Sequence, residues 1–184
     1  MKYTIAKLVF WISGWKLDAT PELQKRSFNT VTIAAPHTSN WDIVYSLGAF
    51  WLMRMPVKFL IKDFYMNWYF FGFFKWLGGI GVNRKQRSNL VETSAQILRE
   101  TDFNLMISPE GTRKRVDQWR MGFYHIAKQA NVGISLGYLD YAKKSAGLLD
   151  VVTVGELEDT LNQIQAIYKE VQGKQPGLYN PNIY

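Results

Sequence analysis

The run Val31-Thr32-Ile33-Ala34-Ala35 is built of β-branched and small residues, and it stops at Pro36, which has no N–H to continue a ladder. Ser39 follows, with Asp42 three residues later at the spacing of an N-cap and its capping-box partner, and an amphipathic segment begins there. A short buried strand that passes through a loop into a helix commits the chain to a βα unit, and so to a sheet covered by helices. The alternation recurs. Strands are expected over 57–61, within 78–84, over 104–107 and 132–138, and once or twice within 146–154. Helices are expected from Ser39 to the approach of Pro56, after an Asn89–Glu92 cap, over 119–130 and over 156–171. The expected fold is α/β, a single domain over 1–184 with a mixed, largely parallel sheet flanked by helices. Its motif-bearing core spans 30–140, and an irregular tail occupies 173–184.

His37 lies on the loop after the first strand, and Asp42 in the first helical turn faces back toward it. The carboxylate can accept a hydrogen bond from one ring nitrogen, fixing the tautomer and leaving the other nitrogen free as a base. The plainer alternative makes Asp42 only a cap and His37 a surface residue. The second histidine, His125, falls inside a helical stretch and is assigned to a helix face.

Composition narrows the partners. Lys and Arg number 22 against 15 Asp and Glu, a net +7, so an anionic partner is expected: a phosphorylated substrate, an anionic membrane or nucleic acid. The absence of cysteine removes disulfides, thiolate metal sites and a cysteine acyl-enzyme. No metal site is expected, and the glycines at 78–81 complete no dinucleotide fingerprint.

Aromatic residues make up 15% of the chain and concentrate in Phe64–Leu77, which reads as a buried helix pair, a lipid-facing surface or an acyl-channel lining. Nucleic acid is disfavoured because these rings are not interleaved with Lys and Arg. No apolar run reaches the length of a transmembrane helix, and the stretch Leu8–Trp15 is followed by no signal-peptide cleavage site. Ile5, Leu8, Val9, Ile12 and Trp15 share a helical face, so residues 1–20 are expected to lie in a membrane interface or to pack on the domain.

Three loops at strand ends carry the polar residues: His37 to Asp42, Gly78 to Arg84, and Pro109-Glu110-Gly111-Thr112-Arg113. In this order they resemble the glycerophospholipid acyltransferases of the lysophosphatidate acyltransferase type, with their HxxxxD, glycine-to-arginine and P-E-G-T/S-R blocks. The resemblance implies that His37 is the general base and Asp42 its partner. It implies that Ser39, Lys62, Arg84, Glu110, Gly111, Thr112 and Arg113 are substrate-binding, with Arg84 and the third block on the acceptor's glycerol phosphate. Lys62-Asp63 resembles a basic-acidic pair between the first two motifs, and Arg120 with Gly122 resembles a pair that follows the third. Pro36 stands where the family often has Asn, and Gly133 and Leu136 stand where prolines are expected.

The implied reaction moves an acyl group from an acyl-CoA or acyl-carrier-protein thioester, as co-substrate rather than cofactor, to a lysophospholipid such as 1-acylglycerol-3-phosphate. Backbone N–H groups near Ser39 or Gly111 are the expected oxyanion donors. Without cysteine, direct attack by the acceptor is the simplest route, and an acylated Ser39 is the alternative. The enzyme is expected to be peripheral, on the cytoplasmic face of an anionic membrane. The competing readings are a transacylase or acyltransferase for another lysolipid or amino lipid, and a non-catalytic lipid-binding protein.

Overall fold

The apolar runs pair into one seven-stranded sheet in the computed structural model, which describes residues 1–70, 72–82 and 87–184. The strands are β1 (Lys16–Asp18), β2 (Val31–Ala35), β3 (Val57–Lys62), β4 (Gly79–Val82), β5 (Asn104–Ile107), β6 (Ile134–Asp140) and β7 (Ser145–Val152), in the order β1-β7-β6-β2-β5-β3-β4. The β6–β7 hairpin is antiparallel and the other neighbours are parallel, as the alternation of strands and helices predicts.

Helices α1 (Lys2–Ser13) and α3 (Asp42–Leu52) cover one face of the sheet. Phe10, Leu47, Phe50 and Met53 pack there against Phe59, Met106 and Leu148. On the other face lie α5 (Arg87–Glu100), α6 (Gly122–Ala130) and α7 (Leu157–Tyr168), which bury Leu98, Phe123, Ile126 and Ile164 over Val31, Ile33 and Ile134. The short α2 (Pro21–Arg26) starts at Thr20, whose Oγ1 accepts the Leu23 N–H at 3.2 Å. α4 (Phe73–Leu77) precedes β4.

The middle of the sheet is polar in one place. Asn104 Nδ2 donates to Thr30 Oγ1 at 3.0 Å and Thr32 Oγ1 at 3.1 Å, and both hydroxyls lie 2.7 Å from Ser135 Oγ. All four side chains are buried, so the mutual bonding offsets a desolvation cost that none could bear alone.

Several boundaries differ from the sequence expectation. β1 was not anticipated: it is only three residues long and depends on Gly147 of β7, where a Cβ would stand 1.7 Å from the Asp18 carbonyl oxygen. α5 begins at Arg87, so Asn89 is inside the helix rather than its cap. α6 begins at Gly122, and Trp119 is instead a buried residue ahead of it. The stretch 146–154 supplies one strand. The tail is irregular apart from a 3-10 turn at Pro176–Leu178, yet it buries Tyr179 and Ile183 and closes on Trp119, whose backbone N–H donates to the Ile183 carbonyl at 2.8 Å.

The two apolar segments part from the core. Ala6 and Phe10 of α1 are buried, with Phe10 against Gly48, while Ile5, Leu8, Trp11 and Ile12 are exposed. Residues 63–66 and 68–70 form 3-10 turns, and α4 follows; neither the 63–66 turn nor α4 contributes a buried residue. Phe64, Tyr69 and Phe73 are more than half exposed, and the rings here, Phe64, Tyr65, Phe70 and Phe74 among them, pack on each other. The buried-helix-pair reading of Phe64–Leu77 is therefore corrected: the described rings cluster at the surface. Phe71 lies outside the described residues. Among the described residues no helix is long and apolar enough to cross a membrane.

Candidate active site

Parallel pairing brings the C-terminal ends of β2, β3, β5 and β6 to one end of the sheet, where the loops of an open α/β sheet meet ligands. The 36–42 loop, Lys62, the 108–113 loop and Tyr141 all emerge there.

Asp42 is the hub. Its Oδ2 accepts the backbone N–H groups of Thr38 and Ser39, each at 2.8 Å, and lies 3.0 Å from His37 Nδ1. Its Oδ1 accepts the Tyr141 hydroxyl at 2.6 Å. A carboxylate only 4% exposed is thus held by four donors, which fixes its position and orientation. The Ser39 N–H bond is one arm of the expected capping box. The other arm is missing: Ser39 Oγ accepts the Trp41 N–H at 3.2 Å, and α3 begins at Asp42 instead of Ser39. The carboxylate is drawn toward the loop, so the start of the helix moves with it.

With Nδ1 facing a carboxylate, the tautomer that places the proton there leaves a lone pair on Nε2. Among the described residues Nε2 has no hydrogen-bond partner, and the His37 side chain is about a quarter exposed, at 28%. It lines a cavity of about 160 Å³ between α3 and the sheet, whose walls include Ile33, Ile43, Phe50, Met53, Phe59 and Met106. None of the described rings in 64–77 lines this cavity, so the channel-lining reading of that stretch has no support among the described residues.

The 108–113 loop buttresses the histidine. Glu110 Oε1 accepts the His37 N–H at 2.9 Å, and Oε2 accepts the Ser108 hydroxyl at 2.9 Å. Glu110 is 5% exposed, and burial pushes its pKa up even though these bonds pull the other way. Its carboxylate is therefore turned to the protein's own groups. Gly111 has φ +64°, and the Arg120 guanidinium lies 3.1 Å from where a Cβ would be, so a side chain there would meet both strain and a neighbour. Thr112 Oγ1 accepts the Lys114 N–H at 3.3 Å, a turn contact. Arg113 donates to the Asn40 side-chain carbonyl, which ties the third block to the first. Lys62 ends β3 in an exposed position and does not line the cavity. Arg84 lies outside the described residues. Among those described, no three His, Asp or Glu side chains converge as a metal site.

The expected oxyanion donors are already committed. The Thr38 and Ser39 N–H groups point to Asp42, and the Gly111 N–H donates to the Ser108 carbonyl at 3.1 Å.

Tyr141, Asn40, Ser108 and Lys174 are site residues that sequence reasoning missed. Burial and the Asp42 contact hold the Tyr141 proton far above the usual phenol range. Its ring is braced edge-on by Trp15 at 4.8 Å, and Trp15 in turn stacks on Tyr45 at 3.9 Å. Residues 172–175 cross the site as a strap: the Tyr141 N–H donates to the Gln172 carbonyl at 3.1 Å, and the Gln175 N–H to Thr38 Oγ1 at 3.2 Å. Lys174 on this strap places its ammonium 5.7 Å from the Trp41 ring and 6.0 Å from that of Tyr141. No local pattern marks a strap that returns from more than 130 residues away.

No curated protein sequence matches the chain significantly. Among solved structures, the 1-acyl-sn-glycerophosphate (LPA) acyltransferase PlsC from Thermotoga maritima matches with a TM-score of 0.60 at 15% identity, over 92% of this chain and 75% of that one, a likeness of fold. The family model described as Acyltransferase matches residues 21–137, which take in β2 through most of β6 together with both the His37–Asp42 and the 109–113 loops, and the chain belongs to that acyltransferase family.

Proposed function

We propose that the chain transfers a fatty acyl group from a thioester, of coenzyme A or an acyl-carrier protein, to the free hydroxyl of a lysophospholipid, with 1-acylglycerol-3-phosphate as acceptor. The observation that carries this reading is the His37–Asp42 pair, 3.0 Å apart, on the wall of a largely apolar cavity. His37 Nε2 takes the proton of the acceptor hydroxyl as its oxygen attacks the thioester carbonyl. The tetrahedral intermediate then collapses, the C–S bond breaks, and the thiolate leaves with the proton from the imidazolium. Asp42 orients the ring and offsets the charge that it gains. The acyl chain occupies the apolar cavity between α3 and the sheet.

Arg113 and Arg84 are assigned to the acceptor's phosphate, where a guanidinium fork suits two oxygens. Arg120, packed on Gly111, and Lys174, above Trp41, add positive charge on the same side. A product that stays in the bilayer requires the enzyme to work at its surface, so an anionic membrane is the proposed partner, met from the cytoplasmic side.

The test is release of free thiol from acyl-CoA and acyl-carrier-protein donors, offered with a panel of lysolipids and glycerol 3-phosphate. Activity should be greatest with 1-acylglycerol-3-phosphate and should fall by at least about 10²-fold in His37→Ala with the fold intact. Highest turnover with a lysolipid that lacks the phosphomonoester would move the assignment to another acceptor. Turnover within a few-fold of wild type in His37→Ala would remove the proposed base.

A further inference from the structure

At the end of the sheet opposite His37, where β3 begins, four cations converge. Lys2, Arg54, Lys58 and Lys75 line a groove of about 390 Å³ together with Trp51 and Trp76. Lys2 Nζ donates to the Trp76 carbonyl at 2.6 Å and sits 5.5 Å and 5.1 Å from the Trp51 and Trp76 ring centres. The Arg54 guanidinium lies 5.1 Å from the Tyr3 ring centre. Among the described residues, none of the four cations has a carboxylate within 4.0 Å. Burial and the nearby charge of Lys58 push the Lys2 pKa down, the direction expected where like charges gather without a counter-ion.

The backbone is also committed to this groove. Arg54, two residues past the end of α3, has φ +57°, a left-handed conformation that glycine adopts freely and arginine does not. Gly78 also lines the groove, and a Cβ there would stand 2.5 Å from the Val57 carbonyl oxygen, so the chain closes there at backbone distance. The fold thus holds an arginine in a disfavoured conformation beside three lysines, and an anion between them would offset their mutual repulsion.

We propose that this groove binds the phosphate of an anionic phospholipid headgroup, a site separate from the acyl-transfer centre. A lipid is favoured over a free anion by the apolar surroundings: Trp76 of the groove stacks on the exposed Phe73, Tyr3 faces Arg54, and Ile5 and Leu8, on the same helix as Lys2, are exposed. Trp and Tyr beside cations are the side chains that settle at a headgroup layer. The groove lies at the Lys2 end of α1, and Trp15, just past its other end, packs beside Tyr45 and Tyr141 of the catalytic end. A headgroup held here fixes how that helix meets the membrane.

The experiment is co-sedimentation of the full chain with phosphatidylcholine vesicles, with and without phosphatidylglycerol. Arg54→Gly, which suits the left-handed conformation, is combined with Lys58→Gln. The double variant should bind the phosphatidylglycerol vesicles roughly 25-fold more weakly, while a control that removes two distant charges, Lys25→Gln with Lys169→Gln, stays within about twofold of wild type. Equal losses in both would reduce the effect to diffuse charge and overturn the site, as would wild-type binding by the double variant. Trp fluorescence is followed while inorganic phosphate is added. A saturable change that only the double variant loses, with vesicle binding intact, would make this a free-phosphate site and overturn the lipid assignment. Turnover of glycerol 3-phosphate or a soluble lysolipid without vesicles is measured in the same samples and should match wild type. Absence of that turnover in wild type would count against the acyl-transfer reading and leave the vesicle result standing.

Discussion

Glu110 and Tyr141 support the His37–Asp42 pair from opposite sides, and each yields to a substitution of nearly the same shape. An unfolded chain titrates Glu110 near 4.5, and burial raises that value in the fold. Between the two values the folded protein holds more protons than the unfolded one, so stability falls as pH rises through that window. Glu110→Gln can still accept the His37 N–H through its amide oxygen and can donate to a reoriented Ser108 hydroxyl, so it keeps the contacts and loses the titration. Urea unfolding at about pH 4.5 and about pH 7.5 should show wild type losing stability relative to the variant as pH rises. Parallel behaviour of the two proteins would contradict a raised Glu110 pKa. Tyr141→Phe deletes one of the bonds to Asp42 and leaves the ring against Trp15. A hydrogen bond to a charged group warrants a kcat about tenfold lower with acceptor KM changed little, because the loss concerns the orientation of the proposed base rather than the proposed phosphate contacts. A raised KM with an unchanged kcat would instead place Tyr141 in the acceptor site.

The elements that the sequence made legible are those whose signal is local. β2, the loop after it and the third block could be read because a β-branched run, a proline and a capping-box spacing each act within a few residues. The Asp42 carboxylate does reach both His37 and the Ser39 N–H, as that spacing implies. The strap at 172–175, Tyr141 and β1 were not legible, because each is defined by a partner elsewhere: Thr38 for Gln175, Asp42 for Tyr141, Gly147 for Asp18. The strap makes a prediction of its own. A Cβ on Gly173 would stand 2.9 Å from Thr38 Oγ1 and 3.1 Å from Pro36 Cβ, so Gly173→Ala must push the strap or the motif loop aside. Thr38 supplies one of the donors that hold Asp42. The expected outcome is a kcat lower by roughly tenfold with the melting temperature little changed, since the displaced contacts are few and lie at the site. An unchanged kcat in a variant that still melts cooperatively would show that the strap crosses the motif loop without constraining it.

At the scale of the molecule, the sheet divides one side that packs α5, α6 and α7 in a continuous core from another where α1 and α3 leave aromatic and aliphatic side chains in the open. The expectation that α1 either meets a membrane or packs on the domain offered two outcomes, and its two faces separate them: Ala6 and Phe10 pack on α3, while Trp11 at 78% and Ile12 at 70% exposure face outward. Periodicity alone could not assign these faces, because a helix with apolar residues nearly all round gives little contrast between them. The outward residues contribute little to folding, and in the proposed membrane-bound state they supply apolar contact with the interface. Trp11→Ser combined with Ile12→Ser should therefore leave thermal stability close to wild type and weaken vesicle binding by about tenfold or more. High salt acts on the other component. The +7 net charge should make binding rise with the anionic lipid fraction, and salt should remove that increment while leaving the apolar part. Flotation with neutral and anionic vesicles, at low and high salt, separates the two contributions. Binding that salt abolishes entirely, with no loss in the Trp11 and Ile12 variant, would show that α1 rests above the headgroups instead of among them.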